Sequence, residues 1–493
     1  MTTETTDTQT PKEVMRGFFG RDLIYVLLWA AQLGAATLLT PVITRLLGPH
    51  HYGFAAICVT MMQLLVAMAG FGLNLAVQRT YASKGETAAR KIITLSIVIA
   101  AVFFGIATST GPIWSKALHL GAYRGAIAYT VDWTACQAVT ATILGLLRSR
   151  DQLGRFALVG LMQTALSELL SLVLVLFVRR TANEYILGEF LGQAATLAVG
   201  LFLVRPAWLR RRDLGDLWGV LAFAAPLIPA ALSSFVLSAS ARLVVNADLG
   251  VAAAARYAVA SNVGMIAILL LYAVSESWMP RIFSMSDPGA VQDALTHSRN
   301  ALYTLLIPLT VGLCVASPVL LRIWAPRSYR PDGLQLYVAM IAVSTFPYAG
   351  ASTRTRALMR SGKTRPAATV TMIAAGVSLV MNLLLVPVIH IAGSTLATLV
   401  AYILMQAMVV RYSQPLLKLP RPSLRLCIEV GVAVAIVFAA LLVPLTVPFL
   451  ILRALVGVAC GLLMLAMLSV LRKPPSNRLL IPISHWVHAR VGF

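Results

Sequence analysis

Charge is scarce in this 493-residue chain: Asp, Glu, Lys and Arg together make up only 12% of it. Acidic residues are the scarcest, 18 against 40 basic ones. Soluble globular domains carry roughly 25% charged residues to keep their surfaces wetted, so an ordinary soluble multidomain protein is excluded. Cysteine is sparse and unpatterned. Cys58, Cys136, Cys314, Cys427 and Cys460 all fall in apolar stretches with no CxxC spacing, which leaves no disulfide framework or zinc site to propose. Histidine offers no more: His50 and His51 share a short loop, and His485 and His488 form a pair without a third ligand. There is no P-loop, no GxGxxG after a strand, no HExxH and no GxSxG. No cofactor or metal is expected, and the chain is not read as an enzyme.

What is present is apolar length. Hydrophobic residues make up 59% of the sequence. They are collected into about fourteen runs of roughly twenty residues, the length a helix needs to cross a bilayer core about 30 Å thick. The runs cover 23–47, 52–78, 92–110, 125–147, 155–178, 184–204, 217–246, 253–278, 300–323, 335–357, 366–387, 391–410, 426–446 and 449–471. None alternates as a barrel strand would. The fold class expected is all-α, a polytopic integral membrane protein. The first run is too long for the apolar core of a cleaved signal peptide and is read as a retained helix.

The basic residues report orientation. A net charge of +22 on a soluble protein would suggest a nucleic-acid partner; here the charges lie between apolar runs, so none is expected. With the N-terminus placed in the cytoplasm, 29 of the 40 Lys and Arg fall in the tails and the even-numbered gaps. Positive charge accumulates on the cytoplasmic side, so both termini are expected there. The gaps on the other side are too short for a domain. The first 22 residues read as a polar tail. The last 22, from Arg472, carry Leu479, Leu480, Ile481 and Trp486 and suit an inner-surface segment.

A weak internal echo divides the chain. Span 1 leads through Arg45 and Leu47-Gly48 to Tyr52; span 7 leads through Arg242 and Leu249-Gly250 to Tyr257. Transporters are commonly built from such repeats, with the substrate held between them. The division expected is a six-helix bundle over 23–215, a second over 216–415 and two extra helices over 416–471.

Several blocks then resemble one family. Pro41-Val-Ile-Thr-Arg45-Leu-Leu-Gly48 followed by Tyr52-Gly53 is similar to the first hairpin of Wzx-type oligosaccharide flippases. These are polysaccharide transporters of the multidrug/oligosaccharidyl-lipid/polysaccharide export superfamily. Similar blocks are Pro226 through Arg242 to Leu249-Gly250 and Tyr257-Ala-Val-Ala260; Trp278-Met279-Pro280; Gly362-Lys363-Thr364; and Asn382 through Pro387 with Gly393 to Thr398. Ala241 departs from the pattern, since the family often has an acidic residue before the arginine; an ion pair inside that motif is not expected here. The resemblance implies a flippase that moves polyprenyl-pyrophosphate-linked oligosaccharide for surface or secreted polysaccharide synthesis. Its partners would be membrane lipids and polymerase or export machinery.

A pyrophosphate carried through a membrane needs fixed cations, and the guanidinium fork matches phosphate oxygens. Charges inside spans are costly and generally face a cavity or a partner. Arg242, Arg45 and Arg256 are therefore the substrate-binding candidates, Arg242 the deepest of them. For Arg45 and Arg256 a snorkelling side chain is the competing reading. Asp132 and Glu168 lie well inside spans 4 and 5 and are the candidates for coupling to H+ or Na+, or else for pairing helices. Glu189 and Glu429 lie nearer span ends and are expected to be solvated or interfacial. Pro226 and Pro229 remove backbone hydrogen bonds near the start of span 7 and suggest a hinge. Two alternatives stay open: an ion-coupled multidrug exporter of the same superfamily, which predicts an acidic cavity without arginines, and a membrane glycan polymerase or ligase, which needs an outer catalytic loop.

Overall fold

The computed structural model describes residues 22–210, 213–271, 288–360, 364–414, 420 and 422–472. The tails, Glu276, Trp278-Met279-Pro280 and Gly362-Lys363 lie outside the described residues. Helix length alone then dictates the path. The first helix, α1 (Asp22–Ala69), has 48 residues. At about 1.5 Å per residue it is roughly 70 Å long, more than twice the bilayer core. It has to cross twice, and it does so by turning at Gly48 (φ 67°, ψ 173°), ahead of Pro49. Only glycine adopts that conformation without strain. The same turn separates spans 7 and 8 at Gly250 (φ 80°, ψ 174°). The two hairpins that echo each other in sequence thus share their turn geometry.

The remaining crossings follow in order. They are α2 (Leu73–Ser109), turned at Gly85; a short α3 (Gly111–Ala117); α4 (Ala126–Ser149); α5 (Leu153–Leu161), which passes through a π-helical turn at Met162–Leu166 into α6 (Ser167–Phe177); and α7 (Ala182–Val204). Then come α8 (Leu214–Ala224) and α9 (Leu227–Leu249), together span 7, and α10 (Val251–Gly264). The chain continues with α11 (Pro288–Trp324), α12 (Gln335–Val343), α13 (Thr345–Arg360), α14 (Thr364–Ile389), α15 (Ile391–Ser413), α16 (Leu424–Ala439) and α17 (Val447–Arg472). Among the described residues each of the fourteen expected spans falls largely on helix, and the fold is an all-α polytopic membrane protein. Ten stretches among the described residues are long and apolar enough to cross by composition alone. α4 is not one of them: it carries Asp132, Gln137 and four buried threonines, and it can be this polar because it sits inside the bundle.

With an even number of crossings the described chain starts and ends on one face, called here the terminal face. Large apolar side chains point outward in rows. Ile428, Val432 and Ile436 on α16 follow i, i+4 spacing, and Leu455, Val458, Leu462 and Leu465 do the same work on α17. In water such a surface would be a liability; against lipid it is the expected exterior. Helices α16 and α17 pack on α11. One boundary differs from expectation. The sequence places span 9 at 300–323, yet α11 begins at Pro288. Hydropathy marks only the apolar part of the helix, and α11 begins about three turns earlier, with Val291, Leu295 and Ser298 buried against the rest of the protein.

Candidate functional site

The turn at Gly250 folds α10 back along α9, which sets Arg242 beside the third and fourth turns of α10. Its Nη2 donates to Ser261 Oγ at 3.2 Å and to Asn262 Oδ1 at 3.0 Å. Among the described residues Arg242 makes no ion pair. Asn262 Nδ2 in turn donates to the Tyr52 hydroxyl at 3.2 Å, which carries the network from the second set of helices into the first. Tyr52 is buried, and its ring meets Tyr329 edge-on with centroids 6.0 Å apart. Above it the Tyr329 hydroxyl donates to the Thr44 carbonyl at 3.2 Å, and Thr44 Oγ1 donates to the Trp324 carbonyl at 2.6 Å. At Gly53 the backbones nearly touch: a Cβ there would stand 2.3 Å from the Val251 carbonyl oxygen. The two halves are therefore sealed together at the face opposite the termini.

A second cluster lies on the other side of Tyr52. Span 5 is interrupted by its π-helical turn immediately before Glu168. Such turns add a residue and re-aim the side chains that follow. Span 6 approaches it through Gly188 and Gly192, a pair four residues apart. A Cβ on Gly188 would lie 2.3 Å from Ser171 Cα, and one on Gly192 2.4 Å from Ser167 Cα. Small residues at this spacing let membrane helices pack backbone to backbone. The result is that Ser171 Oγ sits 2.8 Å from the Tyr185 carbonyl and 3.1 Å from Glu189 Oε1, and its single proton serves either. The Tyr185 hydroxyl donates to both Glu168 oxygens at 3.4 Å. Glu189 is only 6% exposed. Glu168 and Glu189 both act electrostatically on Tyr185, and Glu168 and Arg242 both act on Tyr52. Counting about 1.5 Å per residue from the helix ends, Arg242, Asn262, Glu168 and Glu189 lie roughly 10–17 Å below the opposite face, inside the bilayer core.

The structure thus brings together Arg242 and Glu168, from different halves, around Tyr52. It does not gather the other candidates there. Arg45 is exposed and its Nη1 donates to the Pro41 carbonyl one turn back in its own helix, at 2.8 Å. Arg256 is half-buried and forms no hydrogen bond or ion pair among the described residues. Asp132 is also half-buried, and its charge acts on Tyr123 and Cys136. Pro226 and Pro229 are exposed, and span 7 breaks between α8 and α9 at Pro226. Glu189 corrects an expectation. Its distance from the span end suggested water or the interface, but the close approach of α7 to α6 covers it. Glu429 is half-buried and pairs with Arg425, one turn back in its helix, at 3.2 Å. Tyr185, Ser261 and Asn262 were not singled out from the sequence, and Tyr52 and Glu189 were named there without a role in the site. The Gly188/Gly192 spacing was the signal available for the first bundle; nothing local marks Asn262.

Among the described residues no group of His, Cys, Asp and Glu is arranged to hold a metal ion. What the site offers is a cation without a carboxylate partner on one half and two adjoining carboxylates on the other, linked by amide and phenol groups.

Comparison with known proteins bears on what this arrangement serves. A family profile described as polysaccharide biosynthesis protein matches residues 42–331. No curated protein matches the chain. Solved structures share its fold. A lipid II flippase, MurJ, in an inward closed conformation aligns with a TM-score of 0.67 at 11% identity, covering 90% of this chain and 98% of its own. A multidrug resistance transporter of the MATE family in the MOP superfamily, inward-facing, gives 0.56 at 12% identity over 86% of this chain and 95% of its own. A MOP superfamily transporter from Pyrococcus furiosus, with a binding pocket of reversed polarity, gives 0.54 at 12% over 84% and 99%.

Proposed function

Because this chain belongs to the family of polysaccharide biosynthesis proteins, we propose that it is a flippase for polyprenyl-pyrophosphate-linked oligosaccharide in a bacterial inner membrane. The observation that carries this reading is Arg242: a guanidinium held inside the bilayer core by Ser261 and Asn262, with no carboxylate partner among the described residues. An unpaired charge inside a membrane span is expensive unless it faces a cavity or a ligand, Arg242 is only half-buried, and a pyrophosphate is the ligand that suits a guanidinium fork. The Tyr52, Ser261 and Asn262 polar atoms around it provide neutral donors and acceptors for sugar hydroxyls.

In this reading the terminal face is cytoplasmic, following the distribution of basic residues. The bundles over 23–215 and 216–415 rock against one another, and the break at Pro226 with Pro229 acts as hinge in span 7. Closure at Gly53, Thr44 and Tyr329 keeps the site shut to the outside, and the head group is released outward when that seam parts. No covalent bond is made or broken, so the work must come from a gradient or from consumption of the product by polymerase or export machinery. Glu168 and Glu189 are the groups suited to take up H+ or Na+. The same acids favour one rival, an ion-coupled exporter of cationic compounds, which needs the carboxylates but not Arg242.

The test is Arg242→Ala in cells that depend on the protein for a surface glycan. Losing a charge-assisted contact of about 1.5–3 kcal/mol should cut export at least tenfold while the protein remains in the membrane. Full glycan export by that variant would overturn the reading, and retained efflux of a cationic dye with no glycan phenotype would favour the rival.

A further inference from the structure

A second pair of buried arginines lies at the other end of the second bundle, away from Arg242. Arg299 sits near the start of α11 and Arg354 near the end of α13, and each is only 6% exposed. Arg299 donates from Nη1 to the Pro420 carbonyl at 2.6 Å and from Nε and Nη2 to Asn300 Oδ1 at 3.2 and 3.1 Å. Arg354 donates from Nη1 to Ser413 Oγ at 3.1 Å. All of these partners are neutral. The two guanidiniums act on each other, and the phenol of Tyr303 lies close enough to act on both. No carboxylate among the described residues faces either one, although Lys84, Lys91, Arg150 and Arg425 on the same face all have carboxylate partners.

This arrangement is costly as it stands. Burying one guanidinium without an anion costs several kcal/mol, and bringing a second beside it adds repulsion. An anionic phosphate group placed between them would offset both penalties. The geometry leaves room for it: of the five N–H donors on each side chain, Arg299 has two unused and Arg354 four. Arg354 Nε and Nη2 carry no hydrogen bond and are not sealed from solvent. These two donors therefore face space that water, or an oxyanion, can reach.

We propose that Arg299 and Arg354 form a phosphate-binding subsite at the terminal face of the second bundle, separate from Arg242. Its ligand is a phosphate-bearing group, supplied either by a lipid headgroup or by free phosphate. Arg354 offers a free fork for bidentate contact, and Arg299 closes on the same group from α11. The inference does not depend on the flippase reading, since it requires no transport.

The test uses the full-length protein purified in a neutral detergent and measures binding calorimetrically. One arm titrates inorganic pyrophosphate. The other titrates short-chain phosphatidylglycerol, with short-chain phosphatidylcholine as the zwitterionic control. Because Arg242 also attracts phosphate, both arms are run on Arg242→Ala protein as well as wild type. At least one anionic probe should bind both proteins, and binding should weaken tenfold or more in Arg299→Gln/Arg354→Gln. Binding of phosphatidylglycerol alone identifies a lipid source; binding of pyrophosphate identifies free phosphate. Arg299→Lys/Arg354→Lys, which keeps charge but loses the forks, should fall between the two and guards against a Gln variant that does not fold. If neither anionic probe binds Arg242→Ala protein, or if the folded Gln or Lys variants bind as tightly as wild type, the subsite does not exist.

Discussion

Replacing Gly188 with alanine adds one methyl group, and the structure says where it must go. The new Cβ would stand 2.3 Å from Ser171 Cα, 2.4 Å from Ser171 N and 2.8 Å from the Leu170 carbonyl carbon. All three are backbone atoms, so no side chain can turn aside. Carbon atoms rest about 3.5–4.0 Å apart, so α6 and α7 would have to separate by roughly 1 Å. Overpacking of this kind costs about 1–3 kcal/mol. Separation also draws the Ser171 hydroxyl away from Glu189, a contact to an acidic group worth about 1.5–3 kcal/mol when that group is charged. A total near 3 kcal/mol is expected, read as a clear fall in the thermal unfolding midpoint of the detergent-purified protein. Gly376→Ala is the control. It lies in α14 with nothing within 4 Å of the added methyl, so it should gain up to about 1 kcal/mol from helix propensity. If Gly188→Ala melts with wild type while Gly376→Ala behaves as stated, the backbone contact between spans 5 and 6 is not what buries Glu189.

Three further outcomes are expected. Tyr52→Phe retains the ring packing on Tyr329 but removes the acceptor for Asn262, so glycan export should fall severalfold with the unfolding midpoint little changed; normal export would take the hydroxyl out of the site. Glu168→Gln and Glu189→Gln should each abolish the response of transport to a proton or sodium gradient in proteoliposomes, whereas Asp132→Asn, set apart from both, should weaken it less. An unaltered gradient response in both glutamine variants would make the pair structural. Arg453 is 3% exposed and donates to Gln335 Oε1 at 3.0 Å and to the Ala440 and Val443 carbonyls, closing the end of α16. Arg453→Met strands those acceptors and should destabilise the protein by about 3 kcal/mol, seen as early proteolysis in the last hairpin; unchanged protease resistance would contradict this.

The spans were legible because burial in lipid acts on each helix by itself. A run such as 449–471 must be apolar on every side that meets the bilayer, whatever its neighbours, and the row from Leu455 to Leu465 on α17 is that requirement written out. The Gly48 and Gly250 turns were legible for a similar reason: backbone geometry at one residue selects one residue type. Arg242 stood out because a charge in an apolar run is costly wherever it lands. Its partners did not. Ser261 and Asn262 look like ordinary helix polar residues until the Gly250 turn sets α10 against α9.

The amino-acid sequence alone thus determined the solvent this chain lives in, the number of its crossings and the presence of an intramembrane arginine, because each follows from the transfer energy of local segments. Tertiary structure decided which polar groups meet. Glu189 was placed in water or at the interface by its position along the chain and is buried with Glu168 by the backbone contact at Gly188. Arg299 and Arg354, 55 residues apart in sequence, became neighbours only when α11 and α13 packed side by side. Distances between helices are set by their contact surfaces, and no single span carries that information.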